Sequence, residues 1–177
     1  MTAATGADGW AGILDPGETI LWQDRPDSGF TLRPSQIGIT LFGMAFAGFA
    51  LFWMVMASQA GGGFWMFGLI HFSVGVGIIA SALMWGPYRR RHTWYTLTDR
   101  RAFIATHLPV VGRRLKSYPI TEDSVLDFQS GDLSTIIFHE ERKRGKNGYY
   151  TVKIGFERIR DGEKVYRLMR DAQERAT

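Results

Sequence analysis

The 177-residue sequence contains no cysteine, and that absence removes several chemistries at once. A disulfide framework, a thiolate nucleophile, a cysteine-based metal site and an iron–sulfur cluster are all excluded. A second absence is local: residues 34–88 include no Lys, Arg, Asp or Glu, although the rest of the chain is well supplied with charge. A helical crossing of a hydrocarbon core about 30 Å thick takes about 20 apolar residues. The uncharged run of 55 residues is therefore too long for one span and right for two. Residues 37–57 and 64–85 each supply a span, and the small, polar residues 58–63, ending in three glycines, read as the turn between them.

Charge divides the chain into three parts. Residues 1–33 hold five acids (Asp8, Asp15, Glu18, Asp24, Asp27) against Arg25 and Arg33, whereas residues 89–177 hold 19 basic and 12 acidic side chains. An acidic head, a neutral hairpin and a basic tail domain follow, with expected boundaries 1–34, 35–88 and 89–177. The connecting loop has no cation, while Arg25 and Arg33 precede the first span and Arg89, Arg90 and Arg91 follow the second. Both termini are accordingly expected on the cytoplasmic side. A cleavable secretory signal does not fit, because the residues ahead of the first span carry more acid than base.

Residues 1–9 are small and polar and read as frayed. Pro16-Gly17 is a turn signal, Thr19 to Gln23 is β-prone, and Trp22 is expected to pack on the later domain. Gly43, Ala47 and Ala50 in the first span, and Ser73, Gly77 and Ser81 in the second, form small-residue faces that allow close helix packing. His71 is the one ionisable side chain within the spans, a functional candidate whose plain alternative is a neutral imidazole bonded to a carbonyl or serine. Gly86-Pro87-Tyr88 is the expected short connection to the tail domain.

From residue 92 to 160 the pattern changes to short β-prone runs. A hairpin turns at Thr98-Asp99-Arg100, and further strands are expected at 114–118, 125–128 and 134–140. A basic turn over 142–148 leads to a strand at 149–157 in which Tyr150, Val152, Ile154 and Phe156 share one face. Asp161 is the expected N-cap of a closing helix with Val165, Leu168, Met169 and Ala172 on its apolar stripe. A two-helix membrane hairpin plus a mainly-β domain, a β-sandwich or open barrel capped by one C-terminal helix, is the expected fold.

Three stretches carry a family resemblance: Pro16 to Pro26 with its Gly17-Glu18, Trp22 and Pro26; Tyr95-Thr96-Leu97-Thr98-Asp99-Arg100-Arg101-Ala102-Phe103-Ile104; and Ile120 to Val125 with Gly131-Asp132-Leu133, Phe156, Ile159 and Val165-Tyr166. In these the chain resembles the bacterial pleckstrin-homology-like (bPH) domain membrane proteins. The resemblance implies a pleckstrin-homology-like fold in the cytoplasmic domain and a multi-pass place in the bacterial inner membrane. It brings no catalytic residue.

The residues themselves offer none either. The triple glycine lies between spans and lacks the Lys-Ser/Thr of a phosphate loop. His92, His107 and His139 are isolated, and Glu140-Glu141 and Glu122-Asp123 are adjacent, so on a strand they point to opposite faces. No enzyme activity, metal or other cofactor is expected. Positive charge remains, in three clusters: Arg89, Arg90 and Arg91; Arg100 and Arg101 with Arg113, Arg114 and Lys116; and Arg142, Lys143, Arg144 and Lys146. The first lies against the membrane by connectivity, and the others are candidate surfaces for a partner or for lipid headgroups. Expected partners are membrane lipids and an unidentified protein or a second copy of the chain. Nucleic acid is not expected, since the membrane already accounts for much of the basic charge. The leading function is a protein-binding or self-assembly module at the membrane. An anionic headgroup sensor and an accessory subunit of a transporter, using His71, are the alternatives.

Overall fold

A computed structural model describes residues 8–31, 34–146 and 148–176. The expected fraying of the leader falls mostly on residues 1–7, outside the described residues, as do Arg33 and Asn147. The chain forms two compact units, one of the residues up to Asp27 together with those from His92 onward, the other Ser28–Arg91. The leader is thus divided: its strand belongs to the β unit rather than to a segment of its own ending at residue 34.

The helical unit contains α1 (Pro34–Gln59), a 3-10 turn (Phe64–Met66) and α2 (Phe67–Arg91). Both helical stretches are long and apolar enough to cross a membrane. On α1 the buried residues are Gly43, Ala47 and Ala50, the expected small face. On α2 the face differs from expectation. Gly68 and Gly75 are buried, whereas Ser73, Gly77 and Ser81 are exposed. A Cβ on Gly75 would lie 2.7 Å from that of Ala47, and one on Gly43 would lie 2.8 Å from the Ile79 side chain. At 3.6 residues per turn, Gly77 is rotated roughly 200° from Gly75, so only one of the two faces can meet α1. Gln36 adds a polar tie between the helices, its Nε2 donating to the Ala82 carbonyl at 2.7 Å. Gly86-Pro87-Tyr88, expected as a link, continues α2 as helix.

Among the described residues the β unit has seven strands. β1 (Ile20–Asp24), β2 (Thr93–Thr98), β3 (Arg101–Leu108) and β4 (Gly112–Pro119) form one antiparallel sheet in that order. β5 (Asp127–Gln129), β6 (Ser134–Gly145) and β7 (Gly148–Ile159) form a second. Since β1 pairs directly with β2, the whole helical unit is an insertion into a strand-to-strand connection. The expected basic turn over 142–148 is mostly strand: Arg142, Lys143 and Arg144 lie on β6, opposite Thr151, Tyr150 and Tyr149. Tyr150, expected on the half-buried face of β7, is exposed because the hairpin runs on past the core.

Side chains from both sheets and from α3 (Gly162–Arg175) share one core. Trp22 of β1 is buried in it, its ring 5.5 Å from Phe156, which also stacks on Tyr95 at 4.7 Å. Gly155 is fixed by close approach, because a side chain there would run into the Ile136–Ile137 backbone where the β6/β7 register shifts. Asp161 takes the N-cap position of α3 without a capping side-chain bond, and Val165, Met169 and Ala172 seat the helix on the sheets.

Candidate functional site

Alternation along the strands separates two faces of the four-stranded sheet. Tyr95 and Ile104 point to the core. Their neighbours Trp94 and Ala105, with Leu115 of β4, form a row across three strands on the outer face. The small Ala105 leaves a hollow between the two larger side chains. A groove of about 860 Å³ results, open to the surroundings and closed on one side by Trp10 and Ile13. Trp10 meets Phe103 edge to face at 5.1 Å. Arg25 lies 4.6 Å above the Trp94 ring, and His107, Arg113 and Arg114 line the groove toward one end of the strands. Gln23 donates to the Thr96 hydroxyl at 3.0 Å beside the floor.

The wall of this groove is held by Glu18. Its side chain is buried, receives Arg101 at 2.7 Å and the Thr98 hydroxyl at 2.6 Å, and accepts the Asp15 N–H at 2.8 Å. Arg101 also reaches Asp15 at 3.0 Å and lies over the Phe103 ring. The Arg101 hydrogen bond is the main reason the Glu18 carboxyl falls to about 2. Burial opposes the drop, while Thr98 and the Asp15 amide reinforce it. In turn Glu18 raises the pKa of Arg101. One ionic cluster therefore pins the leader onto the sheet and positions Trp10 and Ile13.

Several of the expected surface cations have structural work. Arg101 belongs to that cluster. Arg90 is only 4% exposed and donates to the Gly29 carbonyl at 2.6 Å, so it turns inward within the helical unit. Lys116 and Lys143 both bind Glu141, at 3.2 and 3.3 Å, and Glu141 also accepts from the Tyr118 hydroxyl, joining the two sheets. These donors lower the Glu141 pKa, with Lys116 contributing most. Arg142 stacks on Tyr149 at 4.5 Å, while Arg144 and Lys146 are exposed further out on that hairpin. Arg89, Arg91 and Arg100 are exposed as well, the first two in the last turn of α2 and the third in the β2–β3 turn.

Only Arg113 and Arg114 of the second cluster border the groove. Sequence reasoning missed its floor, since Trp94, Ala105 and Leu115 are far apart in the chain and meet through register. The available signal was the outward set on β2, β3 and β4: Trp94, then Ala105 and His107, then Arg113 and Leu115. His71 is exposed on α2, with Nδ1 3.4 Å from the Phe67 carbonyl and its ring near Phe46 and Phe67. Among the described residues, no three of His, Asp and Glu converge as metal ligands. The groove thus presents an aromatic and aliphatic floor beside cations, chemistry that grips apolar side chains and acidic groups. No protein-family model, curated protein or solved structure matches the chain.

Proposed function

We propose that this protein is a membrane-anchored, non-enzymatic binding module whose outer sheet face takes a protein partner or a second copy of the chain. In this reading α1 and α2 form a two-span anchor in a bacterial inner membrane, both termini are cytoplasmic, and the β unit is a pleckstrin-homology-like domain carrying the anchor in its β1–β2 connection. Four antiparallel strands, then three, then a closing helix support that assignment. The exposed cations in the last turn of α2, Arg89 and Arg91, support the orientation.

The observation that carries the binding role is the groove itself. Trp94 and Leu115 flank Ala105 in an open apolar trough with arginines at its margin, the composition of an interface centre with a charged rim. A photo-cross-linking residue in place of Leu115, in full-length protein in native membranes, is expected to capture a discrete protein band. Filling the trough with Ala105→Trp removes that band while amide protection of β2 and β3 stays unchanged. A cross-link to lipid alone would replace this reading with the headgroup sensor.

A further inference from the structure

The β3–β4 hairpin ends in Pro109-Val110-Val111, with Leu108 paired to Gly112 across the turn. Gly112 has φ +80°, so the tight reversal is supplied by glycine and the two valines are not needed to make it. Loops facing water favour Gly, Asn, Asp and Ser at such positions. Here Val110 is 98% exposed and Val111 45% exposed. His107, Arg113 and Arg114 follow immediately behind and are all exposed. An apolar tip with a basic collar has the chemistry of a bilayer surface containing anionic lipid: acyl chains for the valines, phosphates for the cations.

Chain connectivity says which surface. The His107 amide donates to the His92 carbonyl at 2.9 Å, and His92 directly follows Arg91, the last residue of α2. The arm of the loop is therefore bonded to the first residue beyond the helix. Val110 is three residues further on, within about 10 Å of chain.

We infer that the β3–β4 tip is a third membrane contact, in which Val110 and Val111 dip into the headgroup boundary of the bilayer that α1 and α2 span while Arg113, Arg114 and His107 engage anionic lipid phosphates. The inference rests on the membrane-spanning reading and shares His107, Arg113 and Arg114 with the margin of the groove. The tip holds the β unit against the surface from a second point, which would present the neighbouring groove to partners that are themselves at the membrane.

The absence of cysteine makes the test direct. Full-length protein carrying Val110→Cys, Val125→Cys or Val55→Cys is labelled with an environment-sensitive fluorophore and reconstituted into nanodiscs of phosphatidylglycerol and phosphatidylcholine containing headgroup-region nitroxide lipid. Val125 is 78% exposed on the β4–β5 connection, and Val55 is an outward residue of α1. The probes at 110 and 55 are expected to lose most of their emission, and the probe at 125 to keep it. Arg113→Ala with Arg114→Ala, or omission of phosphatidylglycerol, restores emission at 110 only. Quenching at 55 without quenching at 110 overturns the tip contact. No quenching at 55 removes the spanning reading beneath it. Quenching at 110 that survives both loss of the arginines and loss of anionic lipid overturns the role of the collar.

Discussion

The two units bury opposite kinds of side chain. In the β unit the large residues are inside: Phe156, Leu97, Ile136 and Met169 are fully buried. In the helical unit, ahead of the last turns of α2, the small ones are inside, Gly43, Ala47, Ala50, Gly68 and Gly75, while Phe49 and Phe52 are 68% and 63% exposed. Water rewards the first arrangement, about 25 cal/mol for each Å² of apolar surface removed. Lipid tails are as apolar as Phe, so helices there gain by backbone approach and leave bulk outside. The difference matches two helices long and apolar enough to cross a membrane, a contrast that overall hydropathy hides because the two populations average to −0.10.

The same deletion made in both units breaks the comparison most sharply. Phe156→Ala removes a ring packed against Trp22, Tyr95 and Phe138, and about 3–5 kcal/mol of β-unit stability goes with it. Phe49→Ala in lipid opens no internal cavity and leaves stability within about 0.5 kcal/mol. Chemical denaturation of reconstituted protein, read by hydrogen exchange in peptides from β7 and α1, measures each unit separately. Comparable losses at both positions would mean that α1 is packed against protein.

The next effect belongs to the ionic cluster. Glu18→Ala removes the main partner of Arg101, which stays partly exposed and keeps Asp15, at a cost of about 2–3 kcal/mol. The pH dependence follows from the sign of the shift. The folded carboxyl titrates at about 2 against an ordinary 4.5, so the unfolded chain takes up the proton first. The stabilisation is complete above pH 4.5 and is lost progressively as pH falls toward 2. Denaturant midpoints of the β unit should decline over that window in the native protein and decline less in Glu18→Gln. The helical unit, with no carboxylate along either helix, should not follow.

Much of this contrast was legible from residue order. The uncharged run announced the helices, the strand-length runs with turn signals announced the sheets, and Trp22 was correctly placed in the β core. What escaped were features that depend on a partner. Arg142, Lys143 and Arg144 look like a solvated turn because nothing local shows that β7 pairs with them. The capping role expected of Asp161 relied on residue type, whereas its side chain makes no cap bond. The groove was invisible for the same reason: Trp94, Ala105 and Leu115 are contributed by three strands whose register is settled by the core on the other side.

The clearest case is α2, where the face read from the sequence, Ser73, Gly77 and Ser81, is exposed and the buried one carries Gly68 and Gly75. Ser73, Gly77 and Ser81 satisfy the close-packing pattern at least as well as Gly68 and Gly75 do. Geometry decides, because the face that meets Gly43 and Ala47 must also place Gln36 against the Ala82 carbonyl. The pair Gly75→Leu and Gly77→Leu therefore sharpens the comparison at its smallest scale. At 75 the new side chain meets the Ala47 backbone at 2.8 Å, forcing the helices apart at roughly 1–3 kcal/mol. At 77 nothing lies within 4 Å, and the leucine joins the outward apolar surface. Cysteines at positions 36 and 82, joined by a short bifunctional reagent in membranes, report the separation. Cross-linking should fall in Gly75→Leu and persist in Gly77→Leu. The reverse result would place the serine face against α1 and return Gly75 to the lipid.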